Sequence, residues 1–431
     1  MKRQFFAATV VILFAAVFLF GAVYAWVWGP LLVLWCLLSA SRLYLATREE
    51  RDPPLSLPLL AAAAFGMLVT GQGLLGYSAN PGESWTGLAQ LGGAAAALLL
   101  AVDLFRTRSL ALQWPRLARG LLLVLSVEAI LQRVISPGKI YGLHDASYAS
   151  PTGPYVYHNH FAGCLELLIP FALLNVLTSA HEDLSTTIRR LMIPLLGLSA
   201  LVVSQSRAGL IVVAFQVLFV LLLAGQSGKL RRWTPLLTTG ALLGALLLLG
   251  NWAPTLARLK TLDHHDASAA ERLTIARAGL DLWRAHPIWG TGFNTFADVF
   301  PHYAQTDSLH MVIYAHDDFL QLLDETGIVG MIMALLFLGG VVVRVCLLAR
   351  RRDDAVARIQ FAAGVACLGL IAHAVVDFQF HAPANAWLFF FTVGLLLAPV
   401  EPPRGRSHPR TPLARSRTRE LQLSGGAVEI R

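Results

Sequence analysis

Charged side chains are scarce in this chain of 431 residues. Asp, Glu, Lys and Arg together make up 14% of it, whereas soluble proteins contain about 25%. Hydrophobic residues make up 56%. Apolar stretches of about 18 residues or more recur along almost the whole length, and each can cross a bilayer as a helix. This composition excludes a soluble globular protein and predicts an all-α polytopic integral membrane protein.

Cysteine is rare as well. The four cysteines, all inside apolar stretches, are Cys36, Cys164, Cys346 and Cys367. We expect buried free thiols that behave as small hydrophobic side chains. Their positions imply neither a disulfide framework nor a zinc knuckle.

The hydropathy pattern predicts about twelve transmembrane helices. They are expected near residues 4–21, 28–45, 57–76, 87–105, 117–136, 159–178, 191–204, 208–226, 234–252, 328–348, 359–376 and 384–400. Arg and Lys gather in alternate connections, whereas the connections 77–86 and 377–383 contain neither. Under the positive-inside rule, both termini are then cytoplasmic. The net charge of +8 is therefore a sign of topology, and no nucleic-acid partner is implied.

One long connection and one tail stand out from this pattern. The transmembrane bundle is predicted to span residues 1–403, with a large periplasmic loop inserted at 253–327. Residues 404–431 are basic and are expected to form a disordered cytoplasmic tail. Within the loop, Ser268-Ala269-Ala270-Glu271 has the spacing of a capping box, which predicts an amphipathic helix from about Ala269. His286-Pro287 is expected to end that helix.

Histidines mark the outer side of the predicted bundle. All of the thirteen except His181 and His408 lie in or beside the expected periplasmic connections. His316 is followed by Asp317 and Asp318 and then by an apolar run, so it stands at the mouth of the membrane-embedded bundle. Ionisable groups at such a boundary are costly unless they serve a function.

Four sequence signatures occur in a fixed order along the chain. They are Tyr157-His158-Asn159-His160-Phe161-Ala162-Gly163, Ser204-Gln205-Ser206-Arg207-Ala208-Gly209, Glu271-Arg272-Leu273 leading to His286-Pro287-Ile288-Trp289-Gly290-Thr291-Gly292, and the segment from His316 to Gly330. Together they resemble the O-antigen ligase and polymerase superfamily of bacterial lipid-linked glycan transferases. The resemblance covers residues 150–385, and the first four or five spans contribute little to it.

The resemblance implies a membrane glycosyltransferase. Such an enzyme moves a glycan from an undecaprenyl-diphosphate-linked donor to an acceptor on the periplasmic face of the bacterial inner membrane, by an inverting, metal-independent reaction without a cofactor. O-antigen ligation to lipid A core is the expected reaction. By motif match, His316 takes the position of the catalytic histidine, and Arg207 and Arg272 take those of arginines that hold the donor diphosphate. Asp317 is a departure, because Asn often follows the histidine in this family.

The residue types suit this reaction on chemical grounds. No ATP is present outside the inner membrane, so the energy must reside in the glycosyl diphosphate bond of the donor. A base must take the proton of the acceptor hydroxyl, and imidazole, with an ordinary pKa of about 6.5, suits that task. The planar fork of arginine makes charge-assisted hydrogen bonds to the leaving diphosphate.

Further polar residues are expected to support the site. They are His158, Asn159, His160, Asp317, Asp318, His373 and Asp377. His158 and His160 could join His316 in a zinc-type site, but no His-x-x-x-His or Glu-x-x-His spacing exists, so no metal is predicted. If its helix continues, His373 shares one face with Asp377 and His381, either beside the site or merely at the interface.

Each assignment has a simpler structural alternative. As a helix, the segment would place His316 at the head of an apolar stripe formed by Leu320, Leu323 and Gly327. The simpler alternative is an interfacial histidine that caps the start of this helix, where the helix dipole favours Asp317 and Asp318. Asp317 could tune the basicity of His316 or merely face water. Arg207 could extend its charge to the lipid head groups. The arginines that compete with Arg272 for its role are Arg277 and Arg284.

Other functions remain open from the sequence. An O-antigen or exopolysaccharide chain polymerase and a protein O-oligosaccharyltransferase use the same donor, but their acceptor is a growing glycan or a protein. A lipid-linked glycan transporter is the non-enzyme alternative, and it needs charged groups along a path through the membrane. Here the polar groups gather on one side, which favours an enzyme of the outer face. Membrane lipids are partners in every case.

Overall fold

Long apolar stretches form helices here, because a chain in lipid must satisfy its backbone hydrogen bonds internally. The computed structural model describes residues 1–49, 56–177, 184–225, 267–304, 312–350 and 354–401. Its helices are α1 (Lys2–Phe18), α2 (Ala25–Thr47), α3 (Leu57–Leu74), α4 (Pro81–Leu104), α5 (Arg108–Ile135), α6 (His158–Leu177), α7 (Leu184–Ser204), α8 (Arg207–Gly225), α9 (Ala267–Ala285), α10 (Phe296–Val299), α11 (Asp318–Ala349), α12 (Ala355–Ala374) and α13 (Pro383–Leu397). Short 3₁₀ turns lie at Phe20–Ala22, Ser147–Ala149, Phe300–His302 and Gln379–His381. Two strands, β1 (Lys139–Ile140) and β2 (His144–Asp145), pair antiparallel between α5 and α6, with Lys139 opposite Asp145.

Six of the described helices are long and apolar enough to cross a membrane. They are α2, α3, α4, α6, α11 and α12, while α8 and α13 are shorter apolar helices. Helices α1, α5 and α7 lie where three further spans were predicted; α1 has only 17 residues, and α5 and α7 contain charged residues within the helix. The predicted span at 234–252 lies outside the described residues. The described residues therefore support an all-α membrane protein with six candidate spans, and the total of twelve stays a prediction.

The helices of the bundle approach one another through small residues. Helix α13 packs along α4, where a Cβ atom on Gly394 would overlap that of Ala101. Close approach of this kind is common between membrane helices. Beside this contact, the rings of Phe105, Trp114 and Phe391 meet edge to face with centroids 4.9 to 6.4 Å apart. These buried rings fill the core between α4, α5 and α13.

Several connections between helices meet at one end of the bundle, which we call the loop end. It is formed by residues 75–80, 136–157, 286–304, 312–317 and 375–382. Asn80, which caps α4, donates from Nδ2 to Asp298 at 3.0 Å. Tyr155 donates from Oη to Asn385 at 3.0 Å. These side chains join connections that are far apart in the sequence.

The far ends of α2 and α4 carry a cluster of ion pairs, which we call the ion-pair end. Arg42 contacts Asp103 at 2.7 Å and Glu49 at 2.9 Å, and Lys2 lies 3.5 Å from Asp103. Helix α4 has 24 residues and reaches from the loop end to this cluster. At 1.5 Å per residue, the two ends are about 36 Å apart.

Helix α11 is interrupted at Gly327, whose φ is +63°. The break frees the carbonyls of Asp324 and Glu325, which accept hydrogen bonds from the amides of Thr291 at 3.0 Å and Gly292 at 2.9 Å. In return, the first two backbone amides after Gly327 donate to carbonyl oxygens of the loop segment just before Thr291. The loop before α11 is thus bound to the helix by its backbone, and this positions the residues that follow it.

Three expectations about local structure are wrong. Helix α11 begins at Asp318, so His316 precedes it and does not head a helical stripe. Helix α12 ends at Ala374, so the face expected to continue to residue 381 is not helical. Cys36 and Cys346 are exposed on the outer surface of their helices. Apolar character does not predict burial there, because the outside of a membrane bundle is itself apolar.

Part of the predicted loop and tail cannot be compared with the structure. Residues 253–266, 305–311 and 404–431 lie outside the described residues. Within the described part, the helix predicted from about Ala269 to His286 is confirmed as α9.

Candidate active site

The chain holds His316 outside the helix that follows it. Asp317 caps α11, since its Oδ1 accepts from the amides of Phe319 at 2.9 Å and Leu320 at 3.1 Å. Such a cap satisfies amides that have no partner in the first turn. His316 has a φ of +54°, in the left-handed region that residues with a Cβ rarely adopt. Backbone conformations of this kind concentrate at functional sites.

A buried carboxylate faces His316. Nδ1 of His316 lies 3.7 Å from Oδ1 of Asp377, and the His316 side chain is 30% exposed while that of Asp377 is fully buried. Burial alone would raise the pKa of Asp377, but the facing His316 and the nearby His160 and His373 outweigh burial and lower the pKa to about 2. Asp377 is therefore ionised at neutral pH. It favours a proton on Nδ1 of His316, which leaves Nε2 to accept another.

Three stacked aromatic rings lie beside this pair. Phe378 lies between Tyr157, with centroids 5.3 Å apart, and Tyr314, with centroids 4.6 Å apart. The rings of His316 and His160 each meet Phe378 edge-on at 4.9 Å. His160 is buried, and its Nε2 lies 3.0 Å from the Phe378 carbonyl oxygen. The stack and the two histidines therefore hold the connection between α12 and α13 against the start of α6.

One arginine lies next to the aromatic stack. Arg272 of α9 donates from Nη1 to the carbonyl oxygen of Val376 at 3.4 Å, and its charge acts on Tyr157. The side chain is half-buried. A guanidinium has five N–H donors, so a bond to one carbonyl leaves others for a phosphate. Arg272 thus brings positive charge to the connection that faces His316.

Arg207 comes from a different helix. It is the first residue of α8, which begins directly after a turn at Gln205 with a φ of +60°. Gly209 packs against the first turn of α6. A polar cavity of about 360 Å³ lies between Gln205 and His158, and the His158 ring is 4.9 Å from Tyr157. The start of α8 is therefore next to a polar cavity on the Tyr157 side of the stack.

A second histidine–carboxylate pair lies on the Tyr314 side of the stack. Nδ1 of His381 is 2.9 Å from Asp318, and its Nε2 is 3.0 Å from Nε2 of Gln321. Burial alone would lower the pKa of His381, but Asp318 outweighs burial and raises it. Gln321 also donates to Glu325 at 3.0 Å, and Glu325 accepts from two amides of the loop before α11 at 2.8 and 3.2 Å. This network attaches that loop to the site.

An apolar cavity of about 820 Å³ adjoins this second pair. Its walls are mostly apolar side chains of α3, α4, α11 and α13, and its polar lining includes Asp318, Gln321, Glu325 and His381. Ligand sites in proteins are commonly of this size and character. The lining suits a hydrocarbon chain.

The structure brings together much of the predicted set. Around the aromatic stack lie His158, Asn159, His160, Arg272, His316 and Asp377. His373 lies behind Asp377, with Nε2 3.9 Å from Oδ2. Asp317 serves the cap of α11, and Asp318 binds His381 in place of His316.

Comparison with known protein families gives a match, which covers part of the chain. A family model described as O-Antigen ligase matches residues 192–335. The resemblance to the O-antigen ligase superfamily is confirmed. The matched segment includes Arg207, Arg272 and His316. The match indicates glycan transfer of the ligase or polymerase type, and with the six candidate spans it points to a bacterial membrane protein. Among curated proteins, no match is found.

At this candidate site, the sequence prediction missed the aromatic and amide residues. Tyr157 stands within a signature that was recognised, yet its ring was assigned no role. Phe378 gives no signal in the sequence that separates it from the other aromatic residues near helix ends. Gln321 and Glu325 are four residues apart on α11, a spacing that places them on one helical face and could have linked them.

Proposed function

We propose that this protein transfers a glycan from a polyprenyl-diphosphate-linked donor to an acceptor hydroxyl at the loop end of the bundle. The supporting observation is that His316 faces Asp377 while Arg272 binds the adjacent residue of the same connection. Transfer from a glycosyl diphosphate requires a base for the acceptor and positive charge for the leaving group. The match to the O-antigen ligase family supports the same reaction type.

The reaction is a single displacement at the anomeric carbon of the donor sugar. Nε2 of His316 takes the proton of the acceptor hydroxyl while the acceptor oxygen forms a bond to that carbon. The bond from the carbon to the diphosphate oxygen breaks, and the diphosphate leaves with the electron pair. Attack opposite the leaving group inverts the configuration. A positioned base of this kind contributes about 10²–10⁴-fold in rate.

The charged neighbours stabilise this displacement. Ionised Asp377 balances the imidazolium that forms on His316. Arg272 and Arg207 bind the oxygens of the leaving diphosphate through charge-assisted hydrogen bonds. His158, Asn159 and His160 hold the Tyr157 side of the site, where the polar cavity has room for sugar hydroxyls.

In this proposal, the donor is an undecaprenyl-diphosphate-linked glycan and lipid A core is the acceptor. The apolar cavity of about 820 Å³ supports a substrate that carries a lipid chain. The loop end faces the periplasm and the ion-pair end faces the cytoplasm of a bacterial inner membrane. This orientation is supported by the cations of the ion-pair end, since Arg and Lys are enriched in cytoplasmic connections.

The test is glycan transfer in a Gram-negative strain that makes lipid-linked O-antigen but lacks its own ligase and polymerase. Wild type, His316→Ala and the control His286→Ala are expressed at equal membrane levels, and lipopolysaccharide is analysed on gels. His286 is an exposed histidine at the end of α9. We expect modified lipopolysaccharide with wild type and with His286→Ala, and none with His316→Ala.

The outcomes separate the candidate functions. Capping of core with the single glycan units that the donor carries indicates a ligase, while a ladder of chain lengths in the extracted lipid-linked fraction indicates a polymerase. Transfer that persists in His316→Ala contradicts the role of His316 as the base. If wild type gives no transfer, labelled glycan on periplasmic proteins or movement of the lipid-linked donor across vesicles would support a protein acceptor or a transporter.

A further inference from the structure

The interior of the bundle contains an acid and a histidine that the proposed reaction does not use. Glu166 of α6 and His373 of α12 are both fully buried, and Oε1 of Glu166 lies 2.6 Å from Nδ1 of His373. Removing two such groups from water costs about as much as their attraction returns, so a buried pair of this kind is weak evidence for a role in stability. Another reason for its presence is needed.

The pair continues toward the candidate active site. Nε2 of His373 lies 3.9 Å from Oδ2 of Asp377, and Oδ1 of the same carboxylate lies 3.7 Å from Nδ1 of His316. His373 Nε2, Asp377 Oδ2 and His316 Nδ1 make no hydrogen bond within the described residues. Four side chains thus form one line, which runs from the buried Glu166 through His373 and Asp377 to the half-buried His316.

We propose that Glu166 and His373 are positioning residues for Asp377 and, through it, for His316; this inference rests on the proposed function. Both ring nitrogens of His373 face carboxylate oxygens, and only the imidazolium has an N–H at each nitrogen. His373 therefore holds Asp377 from behind, while the Phe378 amide donates to its other oxygen at 2.9 Å. Asp377 is left with one orientation, in which it faces His316.

The charge of the line explains why two extra groups are present. Glu166 and Asp377 as carboxylates and His373 as imidazolium carry one negative charge in total. The proton that His316 takes from the acceptor brings the line to neutrality. No proton moves along it, because the Nδ1 proton of His316 stays in place and Asp377 remains ionised. Without His373, two buried carboxylates would lack a counter-charge, and a proton on Asp377 would remove the partner of His316.

The competing interpretation is that the pair only ties α6 to α12. The structure offers a control for this, because Gln216 of α8 ties the same two helices. Its Nε2 donates to the carbonyl oxygens of Glu166 at 3.1 Å and Val365 at 3.3 Å. Gln216→Leu removes this buried tie and leaves the line of charged side chains intact.

The experiment compares full-length wild type with Glu166→Gln, His373→Gln and Gln216→Leu in two measurements. The first is kcat and KM of glycan transfer in membranes. The second is the rate at which diethyl pyrocarbonate modifies His316 in the purified protein, followed by mass spectrometry, with His286 as the internal reference. Glu166→Asp keeps the charge and serves as the conservative variant.

We expect Glu166→Gln and His373→Gln to lower kcat about 10-fold or more, a part of the 10²–10⁴-fold that a base contributes, with little change in KM. Both should slow modification of His316 relative to His286, because His316 loses its fixed tautomer. Glu166→Asp should recover part of the rate, and Gln216→Leu should match wild type in both measurements.

The proposal is overturned if His316 is modified at the same rate in wild type, Glu166→Gln and His373→Gln. It is also overturned if Gln216→Leu lowers kcat and the modification rate as much as these two variants do. If wild type shows no transfer with any acceptor, the proposed function fails, and the modification rates then decide the positioning role alone. If His373→Gln does not accumulate in membranes, Glu166→Gln carries the test, because glutamine keeps the size and an acceptor oxygen for His373.

Discussion

The two ends of the bundle bury charge in different ways. At the ion-pair end, Arg42 is 3% exposed and binds Asp103 at 2.7 Å and Glu49 at 2.9 Å. At the loop end, Asp377 is fully buried, and its contacts with the two histidines on either side are 3.7 and 3.9 Å. The contacts of Arg42 are thus within hydrogen-bond distance, whereas those of Asp377 with the two histidines are longer than hydrogen bonds.

We interpret the first cluster as structural and, under the proposed function, the second as catalytic. Short ion pairs offset the cost of burying charge and fix helix ends against each other. The longer contacts of the loop end hold groups near one another while leaving room for them to tighten. Catalytic hydrogen bonds are often long in the absence of substrate and shorten when it binds. We therefore expect substitutions at the two ends to affect different quantities.

The largest effect should come from Asp377→Asn at the loop end. Asparagine keeps the size of the side chain and an acceptor for the Phe378 amide, but it removes the charge that fixes the tautomer of His316. We expect kcat for glycan transfer to fall about 10²–10⁴-fold, as for other histidine bases that lose their acidic partner. Membrane levels should stay equal to wild type. Activity within threefold of wild type would mean that Asp377 is only part of the packing.

The opposite pattern is expected from Arg42→Met at the ion-pair end. Asp103 and Glu49 lose their closer cation and keep only the more distant Lys2. Because both carboxylates also keep some exposure, the free energy of unfolding should fall by about 2–3 kcal/mol. The rate of transfer per folded molecule should not change. Unfolding in detergent and initial rates check this, with the exposed Arg48→Met as the control. A loss of rate without a loss of stability would remove the distinction between the two ends.

Sequence alone predicts the helices of both ends but few of the contacts between them. The capping box locates α9 to within a few residues, because this signal is local. The apolar run predicts a span at 328–348, which lies within α11, but the helix begins earlier, at Asp318. Asp377 is among the residues expected to support the site, but its pairing with His316 could not be identified in this way, since the two are 61 residues apart in the sequence. The neighbouring Asp317 was considered as a tuning acid, whereas the structure uses it to cap α11. The difference arises at the start of α11: Asp317 is the capping residue of the helix, and the turn at His316 separates the His316 ring from the Asp317 side chain.

The smallest effect should therefore come from Asp317→Asn, although Asp317 is next to His316 in the sequence. Asparagine caps helices about as well as aspartate, so transfer should stay within about twofold of wild type. Asp317→Ala removes the cap and should cost about 1 kcal/mol of stability. Both variants are compared with Asp377→Asn under the same conditions. If Asp317→Asn loses as much activity as Asp377→Asn, the acid adjacent in sequence tunes the base, and the 3.7 Å contact with Asp377 is not what prepares His316 for catalysis.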